Sequence, residues 1–164
     1  MENTTPSAHR IDGLDAVITA IIDVLRSSVR RTCLFAPQLE SRLWNQPAII
    51  NGLRTFAISG RERELRILVA EAADLQRDCG ALVALHQRLP SALQLRQPLE
   101  GDGWPAQHPF LLGDDGSILR LDGAGRLGGD FTPAGFGQGR VVQSRFDAAW
   151  ERARPMPELR ALGI

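Results

Sequence analysis

The chain has no lysine and no tyrosine, so all 19 side chains counted as Lys or Arg are arginine. Without lysine there is no Schiff-base lysine, no P-loop lysine and no lysine clamp on a phosphate. Without tyrosine, and with aromatics at only 5% of residues, the base-stacking platform of a single-strand nucleic-acid binder is missing. Excess charge of either sign is missing too. The 19 acidic residues balance the arginines to a formal net charge of zero. That balance exerts no overall pull toward nucleic acid or an anionic membrane and leaves only local patches to do so.

Cysteine is scarce. Cys33 and Cys79 stand far apart and outside any CxxC pattern, and they read as buried thiols acting as small apolar residues. The histidines, His9, His86 and His108, are scattered. No zinc-ligand spacing exists, and neither metal nor cofactor is expected. Long hydrophobic runs are absent: no stretch approaches the ~18–20 apolar residues that span a bilayer. The opening MENTTPSAHR lacks a charged segment followed by an apolar one. The expected compartment is the cytoplasm, without membrane contact.

What is present suffices for one core. The 164 residues are 43% hydrophobic, enough to fold without metal or disulfide. Residues 1–10 read as a flexible N-terminus, 11–154 as one domain and 155–164 as a tail with room for one short turn of helix. From Ile11 onward, Ile11, Leu14, Ile18, Ile21, Leu25 and Val29 follow helical spacing. Asp12 and Asp15 sit near the start of that helix and Arg26, Arg30 and Arg31 near its end, as the helix dipole favours. Thr32 to Ala36 read as a buried strand. Pro47 opens a second helix that Gly60 stops. Leu65 to Ala70 are the clearest buried strand. Asp74 is placed to cap a third helix, whose inward stripe includes Cys79, Leu82 and His86. A further strand covers residues 92–97.

Trp104, in the polar loop 98–107, reads as packing over a sheet edge. Pro109–Leu112 and Ser117–Leu121 flank Asp114-Asp115-Gly116, a hairpin signal. A short strand fits near Leu127–Phe131, and a last helix covers about 139–153 with Phe146 and Trp150 inward. The glycine-rich run from Gly123 to Gly139 lacks the P-loop pattern and reads as turn-rich connection. Alternating helix and strand, then a hairpin and a closing helix, predict an α/β fold: a mixed sheet with helices on both faces.

One segment carries more than composition does. His108-Pro109-Phe110 and Asp115 are followed about a dozen residues later by Gly128-Gly129-Asp130-Phe131. This resembles the phospholipase D superfamily motif, H-x-K-x4-D followed by a G-S-x-N-F-like turn, and the likeness of pattern extends over roughly residues 30–154. His108 takes the place of the histidine and Asp115 that of the aspartate, while Phe110 stands where the lysine belongs. With Phe131 matched to the motif's aromatic, Asp130 replaces the asparagine and Gly128 the serine.

The resemblance implies one half of a phospholipase D-like fold, with His108, Asp115 and Asp130 as candidate catalytic residues. In that family the histidine attacks phosphorus, a second histidine from another half protonates the leaving group, and the lysine binds phosphate. A neutral ring at Phe110 cannot stabilise developing charge, and losing one such contact typically costs ~10²–10³ in rate. Arg120 and Arg126, which follow the motif, are candidate anion-binding residues, Arg96 at the end of the preceding strand is a third arginine within reach, and spacing does not select among them.

The expected role is therefore a non-catalytic interaction or regulatory module. The alternatives are a divergent phosphodiesterase using His108 with arginine help, or a plain nucleic-acid binder, against which the charge balance argues. Single-copy members of the superfamily pair as homodimers, which implies self-association. The whole chain is also similar to a bacterial domain joined to the C-terminal side of GNAT-type acetyltransferases, which implies an acetyltransferase as a partner.

Overall fold

The computed structural model describes residues 8–100, 108–134 and 137–159. Trp104 and the ends of the chain, 1–7 and 160–164, lie outside the described residues. Eight strands form one sheet: β1 (His9–Asp12), β2 (Arg31–Ala36), β3 (Glu64–Val69), β4 (Leu93–Gln97), β5 (Phe110–Gly113), β6 (Ile118–Gly123), β7 (Arg126–Thr132) and β8 (Arg154–Pro155). Their spatial order is β1-β7-β6-β5-β2-β3-β4-β8. β2, β3 and β4 run parallel, and every other neighbour is antiparallel.

The parallel strands are flanked by helices: α1 (Leu14–Ser27), the short α2 (Ser41–Trp44), α3 (Pro47–Ile58), the short α4 (Leu75–Asp78) and α5 (Gly80–Arg88). These pack with one face of the sheet in a single core, where Val17, Ile21, Ile49, Leu53, Leu82 and Val83 meet Leu34, Ile67 and Leu111. The other face carries α6 (Gln138–Arg152), whose Phe146, Ala149 and Trp150 cover Cys33, Phe35, Leu68, Phe110 and Leu112. β2 is apolar on both sides because both faces are covered there, as parallel strands between helices require. The fold is thus the mixed α/β sheet expected, with several helices on one face and one on the other.

The two ends of the chain depart from expectation. The helix expected from Ile11 begins instead at Leu14, and His9–Asp12 pair with β7 as an edge strand. Gly13, at φ 95°, separates the two, a conformation glycine accepts and other residues resist. Ile11 is still buried, but by sheet pairing with Gly129 rather than by a helix stripe. At the other end, residues 154–155 pair with β4, and Pro157–Leu159 form a 3₁₀ turn that buries Met156 and Leu159 in the core. The expected domain limits of 11 and 154 therefore each fall inside sheet structure.

The third helix is broken at Cys79, whose φ of −128° ends α4 before α5 begins. Asp74 precedes α4 but makes no side-chain capping bond. Cys33 and Cys79 are both buried, and burial pushes each thiol up to about 11.

Candidate functional site

β5 runs antiparallel to β2, so its start lies at the carboxyl ends of the parallel strands, where Phe35 faces Phe110. Ligands of open α/β sheets commonly bind at this edge. His108, two residues before β5, is exposed there. Its Nδ1 lies 2.7 Å from the Asp122 carbonyl oxygen. A carbonyl only accepts, so Nδ1 carries a proton, and in the neutral ring Nε2 keeps its lone pair.

The Asp122 carboxylate is held in turn by both terminal nitrogens of Arg10, from β1. Arg10 also bonds Asp12. The Arg10 guanidinium holds the Asp122 carboxyl below the usual carboxylate range, and the nearby charge of Arg126 acts in the same direction. Asp114, at the opposite end of β5, is also lowered. Burial raises it, but bonds from the backbone N–H groups of Val29, Arg30 and Arg31 outweigh that effect.

For a carboxyl depressed in the folded state, stabilisation is complete above its unfolded value, ~3.9. It is lost as pH falls through the folded value. The protein is expected to lose thermal stability progressively below about pH 4. Asp122→Asn should remove part of that dependence, as thermal unfolding across pH 2–6 would show.

The other candidates are spread apart. A single row across the sheet links Arg10, Asp130, Arg120, Phe110 and Phe35, so all of them project to the α6 side. Arg120 and Asp130 face one another, both exposed, on the part of the sheet farther from α6. Phe110 is 2% exposed, with ring centroids 5.6 Å from Phe35 and 6.4 Å from Phe146. The position matched to the family's lysine is therefore apolar core.

Asp115 lies past the other end of β5, roughly 13 Å of extended chain from where the strand begins. Its Oδ1 accepts from the Ser117 backbone N–H at 3.0 Å and the Ser117 hydroxyl at 2.6 Å, which closes the hairpin turn. Arg96 is committed elsewhere: it donates to the Trp150 carbonyl at 2.8 Å, its guanidinium 4.4 Å from that ring's centroid. His108 and Arg126 are thus gathered near Asp122, whereas Asp115 and Arg96 are not.

Arg10 and Asp122 were missed because residues 1–10 read as flexible and Ile11 fitted a helix stripe. The alternation His9-Arg10-Ile11-Asp12, polar and apolar by turns, was the available signal for a strand. Among the described residues, no group of three or more His, Cys, Asp or Glu could hold a metal ion. No described helix is long and apolar enough to cross a membrane.

Residues 13–162 match the model of a domain of unknown function, DUF7931. The chain belongs to that family. No curated protein matches the chain at a significant level. Among solved structures, the DUF7931 chain is similar to Nuc of Salmonella typhimurium, a phospholipase D family member. The TM-score is 0.67 at 13% identity, covering 94% of this chain and 99% of Nuc. NucT from Helicobacter pylori gives 0.66 at 8% identity, covering 92% and 99%. TrmBL2, an archaeal chromatin protein whose structure shows a novel mode of DNA binding, gives 0.60 at 14% identity. The DUF7931 chain is covered there over 95% of its length but spans only 57% of TrmBL2. At these identities the likeness establishes a phospholipase D-like fold.

Proposed function

We propose that this chain is a non-catalytic interaction or regulatory module built on a phospholipase D-like fold. The observation that carries the reading is Phe110, buried between Phe35 and Phe146 where the family pattern calls for a phosphate-binding cation. Supporting it, Asp115 is used to close a turn. In this reading the module self-associates, as single-copy members of the superfamily do, and serves an acetyltransferase in the cytoplasm.

One observation favours a second reading. His108 keeps Nε2 free while Nδ1 is anchored on Asp122, and Arg10 and Arg126 bring positive charge to the same residue. A divergent phosphodiesterase would use such a histidine as nucleophile, with arginine in place of lysine.

Hydrolysis of bis-p-nitrophenyl phosphate separates the two. The expected result is no turnover above the uncatalysed rate, for the unmodified chain and for His108→Ala alike. Turnover that disappears on His108→Ala would establish the enzyme and remove the module reading.

A further inference from the structure

α1 and α3 lie side by side, and a groove runs between them. At Gly52 the helices come close: a β-carbon there would stand 3.4 Å from Leu25 Cδ1 and 3.5 Å from Ile22 Cγ1. The groove holds a cavity of about 410 Å³, in which Ile22, Leu25, Gly52 and Phe56 supply apolar surface. Its lining on α3 extends from Ala48 to Ser59, roughly 16 Å at the rise of a helix.

Two arginines stand at one end. Arg63 comes from the turn before β3. Its Nη1 donates to the Ser28 carbonyl at 3.2 Å, and its guanidinium lies 5.1 Å from the centroid of the Phe56 ring. That side chain therefore joins the end of α1 to the end of α3, so the two helices point the same way. A guanidinium has five N–H donors, and the Ser28 carbonyl takes one of them. Arg26 follows Ile22 by one helical turn, lines the same cavity and is exposed. It has no partner among the described residues.

Nothing acidic lines this cavity, and α3 contains no Asp or Glu. Asp23, one turn before Arg26 on α1, makes no ion pair with it. Glu62 and Glu64 line a separate cavity that shares only Arg63 with this one, and Glu64 is paired with Arg31 and Arg66. The ends of α1 and α3 would oppose an anion through their carbonyl groups. Here the Val24 and Phe56 carbonyls already accept from the backbone N–H and hydroxyl groups of Ser28 and Ser59. The end of the groove is thus left cationic, and its length is apolar.

A carboxylate is the acceptor that guanidinium donors match, and an apolar groove suits an aliphatic chain attached to it. We propose that the α1–α3 groove binds an aliphatic carboxylate, with its head between Arg26 and Arg63 and its chain running past Gly52 toward Ala48. Ser28 and Arg63 precede β2 and β3, so the head lies at the amino ends of the parallel strands. His108 lies at their carboxyl ends, and the site stands whichever reading of that edge holds.

Titration of the full chain with octanoate, followed by amide NMR, tests this directly, and 1-octanol supplies the same chain without the charge. Saturable shifts are expected in α1, α3 and the turn that carries Arg63. Octanoate should bind at least about tenfold more tightly than octanol, as charge-assisted hydrogen bonds imply. Arg26→Gln should weaken octanoate about tenfold and leave octanol unchanged. Arg26 is exposed and unpartnered, so that variant should fold. Thr55 is exposed and lines the groove, and Thr55→Trp should block both ligands. Absence of saturable shifts, shifts centred elsewhere, equal affinity for octanol, or indifference to either variant would each overturn the assignment.

Discussion

Phe110→Lys, which would complete the phospholipase D pattern that the segment resembles, is expected to cost about 3–5 kcal/mol of stability and to create no phosphodiesterase. The estimate follows from where the side chain sits. Phe110 is 2% exposed and packs with Phe35 and Phe146 under α6. Removing the ring leaves a cavity that α6 cannot close without losing its own contacts. The incoming ammonium would enter an apolar surround of Cys33, Leu68, Leu112 and Trp150, where burying a charge is costly. Urea unfolding monitored by tryptophan fluorescence would measure the loss, and the phosphodiester assay would measure any gain. A variant of near-normal stability that hydrolyses the substrate would mean that the lysine reaches the His108 edge.

Gly129→Ala is expected to destabilise the protein by about 2–4 kcal/mol, with Asp130→Ala beside it within about 0.5 kcal/mol of the unmodified chain. A β-carbon at Gly129 would stand 2.2 Å from the Arg120 carbonyl oxygen and 3.2 Å from the Leu121 Cα. Both are backbone atoms of β6, so no side-chain rotation can relieve the contact. The pairing of β6 with β7 is irregular between Leu121 and Gly123, which is where the strands come this close. On the other side Gly129 pairs with Ile11 of β1, so spreading the strands would disturb the edge that carries Arg10. Thermal unfolding of the two variants under the same conditions decides the matter. Equal stabilities would show that the β6–β7 pair accommodates a side chain at this position.

These two positions also show how far the sequence could be read. The Gly128-Gly129-Asp130-Phe131 segment marked a strand correctly, because spacing along one strand is local information. The reasons for its glycines were not visible. At Gly128 a β-carbon would meet the Arg10 guanidinium at 2.7 Å and the Asp122 carboxylate at 2.8 Å. That pair is assembled by residues 112 positions apart. Likewise β2 and β3 announced themselves as short apolar runs, whereas β1 did not. Four residues of alternating polarity beside a helix stripe are ambiguous until the partner strand is known.

Taken alone, the order of residues determined the α/β class, the alternation of helices with buried strands, and the apolar character of position 110. Each of these follows from the periodicity and polarity of neighbouring side chains. Tertiary structure alone decided that Phe110 lies beneath α6 and that Arg10 reaches Asp122. Such contacts depend on which strands become neighbours, and strand order in a sheet is settled by the packing of distant segments rather than by any local pattern.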